Sequence, residues 1–227
     1  MCGGLPVTVD IGLGEVPTDG DDVIVGTDGP DVIDGLDGDD TICGLDGDDI
    51  INGGYGRDTI YGNNGNDDLD GGKANDVIHG GADNDIIYGA GGSDKLFGNN
   101  GDDLIRGGNA HDLIYGGPGS DDLRGNGGND TIYSNTKNTT TTTDADTIQA
   151  GGGYDNVTGD YGPDLIYGGN QADTLAGKAG DDTIYANNGA DTLRGGPHNL
   201  GDYCNGGIHN SFTGDTATDC ETLTNIP

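Results

Sequence analysis

Aliphatic residues recur every nine residues along most of this chain, with polar residues and glycine between them. Each unit reads G-x-x-G-x-D-x-U-x, in which the eighth position, U, is Ile, Leu or Val from Ile24 to Leu193. The sixth position is Asp without a break from Asp22 to Asp130, and again from Asp146 to Asp191. A helix cannot keep both positions on one face at this period, so the pattern predicts a stacked repeat array.

The two parts of each unit predict two kinds of local structure. The glycine-rich first six residues favour a tight turn, and the last three favour a short strand whose central residue points away from its neighbours. Two units return the chain to its starting side, so one coil takes about 18 residues and coils stack at about 4.8 Å. The aspartates then form columns in which neighbouring carboxylates repel by roughly 1 kcal/mol per contact even in water. This arrangement requires a cation between them.

Carboxylates and turn carbonyls offer only oxygen ligands, which select a hard cation. A flexible shell of six to eight oxygens suits Ca²⁺ better than Mg²⁺. The candidate metal ligands are the sixth-position aspartates, namely Asp22, Asp31, Asp40, Asp49, Asp58, Asp67, Asp76, Asp85, Asp94, Asp103, Asp112, Asp121, Asp130, Asp146, Asp155, Asp164, Asp173, Asp182 and Asp191.

These units resemble the repeats-in-toxin (RTX, haemolysin-type) nonapeptide G-G-x-G-x-D-x-U-x over about residues 17 to 195. The resemblance implies an all-β, right-handed parallel β-roll (a β-solenoid) with Ca²⁺ between same-side turns of consecutive coils. It also implies that sixth-position carboxylates and carbonyls of positions one to four hold each ion. On this chain, Asp40 and Asp58 would share one ion, and Asp49 and Asp67 would share the next on the opposite side.

Some units depart from the family pattern. Position four is not glycine at Ala74, Asp83, Ala110 and Gln171, which predicts a turn geometry there that departs from that of the family. Position one is not glycine at Pro17, Thr141, Ala150 and Ala186. We expect weaker or empty ion sites at these units.

The composition links folding to the ions. The 227 residues include 49 Gly and no Trp, and the formal net charge is −33. About one buried aliphatic side chain per nine residues cannot offset an ordering entropy of at least about 1 kcal/mol per residue, so the metal-free chain resembles a disordered polymer. Up to about 15 to 17 Ca²⁺ ions would nearly neutralise the chain. The charge disfavours nucleic acid as a partner, and no apolar run approaches membrane length.

The cysteines and the start of the chain bear on localisation. Cys2, Cys43, Cys204 and Cys220 allow three pairings, of which Cys2–Cys43 with Cys204–Cys220 is favoured because each joins one end segment to itself. Disulfides and a need for abundant Ca²⁺ predict a secreted, extracellular protein. Because no signal peptide follows Met1, we expect a removed leader or a leaderless export route.

The breaks in the repeat divide the chain into five segments. We expect an N-terminal cap at 1–16, repeat blocks at 17–133 and 144–194 around an insertion loop at 134–143, and a C-terminal cap at 195–227. Val7, Val9 and Ile11 alternate with polar residues, which predicts a strand covering the first coil.

The insertion leaves the register of the second block open. The interval from Asp130 to Asp146 is longer than one unit, which fits either a surface loop or a degenerate half-coil. A half-coil would keep Tyr167 and Tyr185 on the aromatic side of the first block, and a loop would move them to the other side.

The outward ninth positions predict an aromatic ladder on one side of the first block. In every second unit these positions hold Cys43, Tyr61, His79, Phe97, Tyr115 and Tyr133. The ladder can stiffen the sheet by cross-strand packing, or it can be a binding face for a surface glycan or another copy of this protein.

No catalytic constellation is visible in the sequence. Adjacent carboxylates such as Asp39 and Asp40 fall at positions five and six of the repeat, and the four histidines show no zinc spacing. We therefore predict an extracellular calcium-binding β-roll that folds on binding many Ca²⁺ ions, and not an enzyme. The alternatives are a self-assembling or glycan-binding structural protein, and a non-catalytic module of an exported enzyme.

Overall fold

The fold is a two-sided stack of parallel strands. The computed structural model describes residues 2–135, 144–196, 201–207, 216–220 and 222–224. Its strands in chain order are β1 (Val9–Asp10), β2 (Val23–Val25), β3 (Val32–Asp34), β4 (Thr41–Asp46), β5 (Ile50–Tyr55), β6 (Thr59–Asn64), β7 (Asp68–Lys73), β8 (Val77–Ala82), β9 (Ile86–Gly91), β10 (Lys95–Asn100), β11 (Leu104–Asn109), β12 (Leu113–Tyr115), β13 (Asp122–Gly127), β14 (Thr131–Tyr133), β15 (Thr147–Gly152), β16 (Asn156–Thr158), β17 (Leu165–Asn170), β18 (Thr174–Ala176), β19 (Thr183–Asn188), β20 (Thr192–Arg194), β21 (Tyr203–Asn205), β22 (Thr216–Thr218) and β23 (Thr222–Thr224).

Successive strands alternate between two sheets. β1 and the even-numbered strands form a 12-stranded sheet, which we call sheet 1, and the odd-numbered strands from β3 onward form an 11-stranded sheet 2. Within a block, each strand pairs in parallel with the strand two units later, as in the pairing of Ile42 with Ile60. The predicted all-β parallel β-solenoid, with two repeat units in each coil, is therefore confirmed.

The core between the sheets consists of one column of eighth-position aliphatic side chains from each sheet. Ile42, Ile60 and Ile78 on sheet 1, and Leu69 and Ile87 on sheet 2, are fully buried. Each coil adds only two such side chains, because alternate residues of a strand point to opposite faces. The apolar contribution to stability per coil is correspondingly small.

Many strands extend beyond the three residues predicted and include the first three positions of the next unit. In β6, for example, Asn63 and Asn64 pair with residues of β8. In these extended strands position two takes a left-handed conformation even where it is not glycine, with φ of 91° at Leu45 and 81° at Asn63. The strand and the turn are therefore one continuous hydrogen-bonded unit.

The turns without a position-four glycine differ locally, as the sequence indicates. At glycines such as Gly38, Gly47 and Gly56 the φ angle lies between 126° and 137°, a conformation that only glycine adopts readily. At Ala74, Asp83, Ala110 and Gln171 the φ angle instead lies between 74° and 80°. These turns keep a positive φ but with a different value.

Strand pairing across the insertion matches the loop alternative. Tyr133 of β14 pairs with Thr158 of β16, and Gln149 of β15 pairs with Tyr167 of β17. Tyr167 therefore lies on sheet 2, opposite to Tyr133, and the strands on either side of the insertion remain in one parallel register. Residues 136–143, which include the threonine run, lie outside the described residues.

The ninth-position side chains form the predicted ladder on the outer face of sheet 1. Its rings run from Tyr61 through His79, Phe97 and Tyr115 to Tyr133, with centroids 4.6–5.3 Å apart and planes within 12° of parallel. A second, shorter stack of Tyr167 and Tyr185 lies on sheet 2, with centroids 5.2 Å apart.

The N-terminal strand is shorter than the alternation of Val7, Val9 and Ile11 predicts. Only Val9–Asp10 forms β1, which pairs in parallel with β2, and Ile11–Leu13 forms a 3₁₀ helix. The Asp10 carboxylate caps this helix by accepting the Leu13 N–H, and Gly14 ends it at φ 78°. This local capping competes successfully with continued strand pairing.

The C-terminal segment continues the stack beyond Arg194. β21 pairs in parallel with β19, β22 with β20, and β23 with β21, so the strands extend into the segment where the repeat is lost from the sequence. Residues 197–200, 208–215, 221 and 225–227 lie outside the described residues.

Both predicted disulfides are present, Cys2–Cys43 and Cys204–Cys220. The first differs from a bond within one end segment, because Cys43 belongs to β4 inside the first block. No helix in the described part of the chain is long and apolar enough to cross a membrane.

Candidate metal centre

The sixth-position aspartates form two buried columns, one on each side of the stack. Of the predicted ligands, all except the partly exposed Asp31 are buried. One carboxylate oxygen is used within the column, because Oδ1 accepts the backbone N–H of the aspartate one coil earlier. Asp58 Oδ1 lies 2.9 Å from the Asp40 nitrogen in this way, and Asp76 Oδ1 lies 2.8 Å from the Asp58 nitrogen.

The columns continue across the insertion. Asp146 Oδ1 accepts from the Asp121 nitrogen at 2.8 Å, and Asp155 Oδ1 accepts from the Asp130 nitrogen at 2.7 Å. These partners are further apart in sequence than the aspartates of consecutive coils elsewhere, yet the hydrogen bond is the same one. The two repeat blocks therefore form one uninterrupted pair of columns.

The second carboxylate oxygen has no hydrogen-bond partner in most turns. Oδ2 is buried and unpaired in Asp40, Asp49, Asp58, Asp67, Asp76, Asp85, Asp94, Asp103, Asp112, Asp121, Asp130, Asp155, Asp173 and Asp182. A buried carboxylate oxygen without a donor is strongly unfavourable unless a positive charge compensates it. The recurring unpaired oxygen is a donor that fits a cation at each of these turns.

The pKa values of these carboxyls reflect their environment. Burial, together with the carboxylates one coil away, raises the pKa of Asp76 to about 8 and that of Asp121 to about 9. Burial likewise raises the pKa of Asp49 to about 6. The accepted backbone N–H opposes this rise in each case but does not cancel it. A metal-free column therefore disfavours full ionisation at neutral pH.

Position-one glycine leaves space where two oxygens converge. A Cβ atom on Gly53 would lie 2.5 Å from Asp58 Oδ2 and 2.7 Å from the carbonyl oxygen of Gly71 in the next coil. On Gly89 it would lie 2.6 Å from both Asp94 Oδ2 and the Gly107 carbonyl oxygen. A carboxylate and a carbonyl that face one small space are a donor set suited to Ca²⁺.

Two of the departures at position one fill this space. Ala150 and Ala186 are fully buried, and their methyl groups stand where other units have only hydrogen. Thr141 lies outside the described residues. The expectation of weaker ion sites at Ala150 and Ala186 stays a prediction, and the space that the two methyl groups occupy is its physical reason.

In three of the predicted ligands, Oδ2 accepts hydrogen bonds from the second residue of the same turn. Asp22 Oδ2 accepts from the Thr18 nitrogen at 2.8 Å and from its hydroxyl at 2.9 Å. Asp31 Oδ2 accepts from Thr27 in the same way, at 2.6 and 3.0 Å. Asp164 Oδ2 accepts from the Asp160 nitrogen at 3.0 Å. These turns differ from the others in a way that the repeat pattern does not reveal.

Two buried aspartates at these sites are absent from the sequence prediction. Asp202 continues one column, because its Oδ1 accepts the Asp182 N–H at 3.0 Å and it is 1% exposed. Its separation of 20 residues from Asp182 hides it from a count in steps of nine, although Cys204 is buried two residues later, as an eighth position would be. The second is Asp160, which is buried at position two of its unit.

The family comparison agrees with this geometry. The model of the RTX calcium-binding nonapeptide repeat (4 copies) matches residues 17–51, 44–78, 65–96, 97–132, 140–175 and 167–197, which together span most of the chain. No curated protein sequence matches the chain at a significant level.

Proposed function

We propose that this chain, which belongs to the family of RTX calcium-binding nonapeptide repeats, is an extracellular β-roll that folds when it binds many Ca²⁺ ions. Its role is structural and non-catalytic, either by itself or as a module of an exported enzyme. The observation that carries the proposal is the orphan Oδ2 oxygen that recurs in the buried aspartate columns.

The proposed ligands are the sixth-position carboxylates together with position-one carbonyls of the facing turn. An ion between the turns of Asp40 and Asp58 would be held by both carboxylates, and the same holds for Asp49 and Asp67 on the other side. The convergence of Asp58 Oδ2 and the Gly71 carbonyl oxygen supports this assignment. The two columns offer positions for about 15 to 17 ions, and Asp202 adds one more.

The energetics favour folding that depends on the ions. Each repeat unit contributes only one large aliphatic side chain to the core, and the chain has a net charge of −33. In the roll, buried carboxylates face one another without a cation, so the metal-free roll is disfavoured relative to the unfolded chain, where water solvates them. When bound, Ca²⁺ supplies the missing positive charge, and its binding free energy becomes folding free energy.

Two features favour a location outside the cell. The Cys2–Cys43 and Cys204–Cys220 disulfides form and persist in oxidising compartments. EF-hand modules that bind Ca²⁺ outside the cell have dissociation constants in the range of about 10⁻⁴ to 10⁻³ M, and a roll tuned to that range would be unfolded at cytosolic Ca²⁺ levels. The chain would then remain unfolded before export and fold afterwards.

The test is a circular dichroism titration of the metal-stripped protein with Ca²⁺, and with Mg²⁺ as the control ion. We expect a largely disordered spectrum without metal, a cooperative gain of β signal with Ca²⁺, and its reversal by excess chelator. Mg²⁺ at the same concentration should have little effect, because it demands a smaller octahedral shell. A β-rich spectrum that persists in chelator would contradict the proposal.

The aromatic ladder favours a second candidate function, the binding of an uncharged surface glycan. Beside the ladder lies a shallow groove of about 430 Å³, whose lining includes Tyr61, His79, Asn64 and Asn100. Stacked rings next to side-chain amides can contact both the apolar face and the hydroxyls of a sugar. The acidic surface disfavours anionic glycans, which leaves uncharged ones.

A glycan array followed by calorimetry tests this candidate. We expect His79→Ala to weaken binding of an uncharged oligosaccharide, and Tyr154→Ala to leave it unchanged, because Tyr154 is exposed on a turn away from the ladder. If the folded protein retains no uncharged glycan, the ladder only packs across the strands.

A further inference from the structure

Three buried carboxylates lie together where the insertion joins the two repeat blocks. Asp146, Asp160 and Asp164 each contribute one oxygen, and these oxygens all lie within 4.8 Å of one another. Each residue is at most 4% exposed. In the described ranges of the chain, this is the one group of three or more His, Cys, Asp or Glu side chains with such spacing. We call it the junction site.

The junction site differs from the other turns in its third carboxylate. Asp146 and Asp164 are sixth-position residues, whereas Asp160 stands at position two, which elsewhere holds residues such as Leu45 or Asn63. Asp160 Oδ1 accepts the Gly162 N–H at 2.9 Å, and the Asn135 side-chain amide donates to Oδ2 at 3.4 Å. The Asp160 carboxylate is therefore held in a fixed position beside the other two.

A buried hydroxyl provides a second, independent indication of a ligand. Ser134 is fully buried, and its Oγ forms no hydrogen bond of good geometry. The hydroxyl lies within hydrogen-bonding reach of the Asp146 carboxylate. A buried polar group of this kind is normally satisfied by protein, water or an ion. Here it lies beside a cluster of carboxylates, which attract a cation when they are ionised.

We propose that the junction site binds one hard cation of the Ca²⁺ class through Asp146, Asp160, Asp164 and the Ser134 hydroxyl, and releases it more slowly than ordinary repeat turns do. An ion between two ordinary turns faces two carboxylates, whereas this one faces three, and affinity for Ca²⁺ rises with ligand charge. The insertion also lacks the regular glycine turn of the repeat, so Asp160 and Ser134 replace ligands that such a turn supplies.

The consequence is a clamp between the two blocks. Ser134 and Asp146 flank the insertion, and Asp160 and Asp164 belong to the next turn on the same side. A cation shared by these residues ties the insertion to the second block at the one place where the repeat is interrupted. This inference rests on the proposed calcium binding of the repeats.

The experiment measures the release of Ca²⁺ from the folded protein into excess fluorescent chelator by stopped flow. For the wild type we expect a fast release of most ions and a slowest phase that accounts for one ion. Asp160→Asn should abolish this phase or accelerate it at least tenfold, while the rest of the release is unchanged. Asparagine can still accept the Gly162 N–H through Oδ1, so the turn itself is retained.

Asp181→Asn is the matched control, since Asp181 is an exposed residue in the next turn on the same side, and it should leave the slowest phase unchanged. Circular dichroism at saturating Ca²⁺ checks that each variant folds. If Asp160→Asn fails to fold, Ser134→Ala tests the same site and should accelerate the slowest phase several-fold.

A slowest phase that is identical in wild type, Asp160→Asn and Ser134→Ala would overturn the junction site and leave calcium binding by the repeats intact. If the wild type releases no Ca²⁺ at all, the proposed function fails, and the junction site fails with it.

Discussion

Replacing either of two neighbouring aspartates tests which face of the chain binds the ions. Asp67 is buried, its Oδ1 accepts the Asp49 N–H at 2.9 Å, and its Oδ2 is unpaired. Asp68, the next residue, is exposed on β7. Asp67→Asn and Asp68→Asn therefore remove the same charge from adjacent positions, and both asparagines retain an amide oxygen.

The structure gives the size of the expected effect. If Asp67 is shared by two ions and each loses about tenfold in affinity, the folded state loses about 3 kcal/mol in total. For a domain of this length, that corresponds to a decrease in melting temperature of about 6 to 12 °C at saturating Ca²⁺. Asp68→Asn removes an exposed charge, and we expect a change within about 0.5 kcal/mol.

Circular dichroism during thermal unfolding at saturating Ca²⁺ gives the melting temperature of both variants. In the metal-free state the effect of Asp67→Asn on stability should have the opposite sign. Burial raises the pKa of Asp67, so its charge opposes the metal-free fold. Asp67→Asn should therefore destabilise the Ca²⁺-bound protein and yet increase the residual β signal in chelator. Equal melting temperatures for the two variants, or the larger decrease for Asp68→Asn, would refute the assignment of position six as the ligand.

Three further predictions follow from the same columns. The metal-free roll holds protons more tightly than the unfolded chain, because burial raises the pKa of Asp121 to about 9 and that of Asp76 to about 8. The metal-free protein should therefore gain β signal by circular dichroism as the pH falls from about 9 toward about 4, and a loss of β signal over this range would contradict the reasoning. Gly89→Ala should weaken Ca²⁺ binding in calorimetry, because its Cβ would meet two candidate ligand oxygens, whereas Gly20→Ala, which meets nothing within 4 Å, should bind as the wild type does. Truncation after Gly195 removes β21 to β23 and exposes the edges of β19 and β20. Sedimentation at millimolar Ca²⁺ should therefore show oligomers for the truncated chain and monomers for the intact chain, and a monomeric truncated chain would reject the capping role of the C-terminal segment.

The coil could be predicted from the sequence because one period governs both the core and the columns. A step of nine places Ile42 and Ile60 in register, and the structure pairs them. The choice between a loop and a half-coil at the insertion could not be made in this way, because both place Asp146 at a turn. The strand pairing in the structure distinguishes them, as in the pair of Tyr133 with Thr158.

The sequence also did not reveal which carboxylates retain a free oxygen, because this depends on the conformation of position two. Thr18 and Thr27 are β-branched and resist a positive φ, and in both turns the residue donates its N–H and its hydroxyl to the sixth-position Oδ2. A β-branched residue at position two is thus a readable signal for a turn that satisfies its own carboxylate.

Asp160 gives no such signal, since aspartate tolerates the left-handed conformation better than most residues. Its conformation depends on hydrogen bonds with Gly162 and with Asn135, which lies on the far side of the insertion. The Asn135 contact exists only because the insertion keeps its two flanking strands in the register of the stack. A junction of this kind becomes visible when the coils are built, because its residues belong to different turns and share no spacing with the repeat.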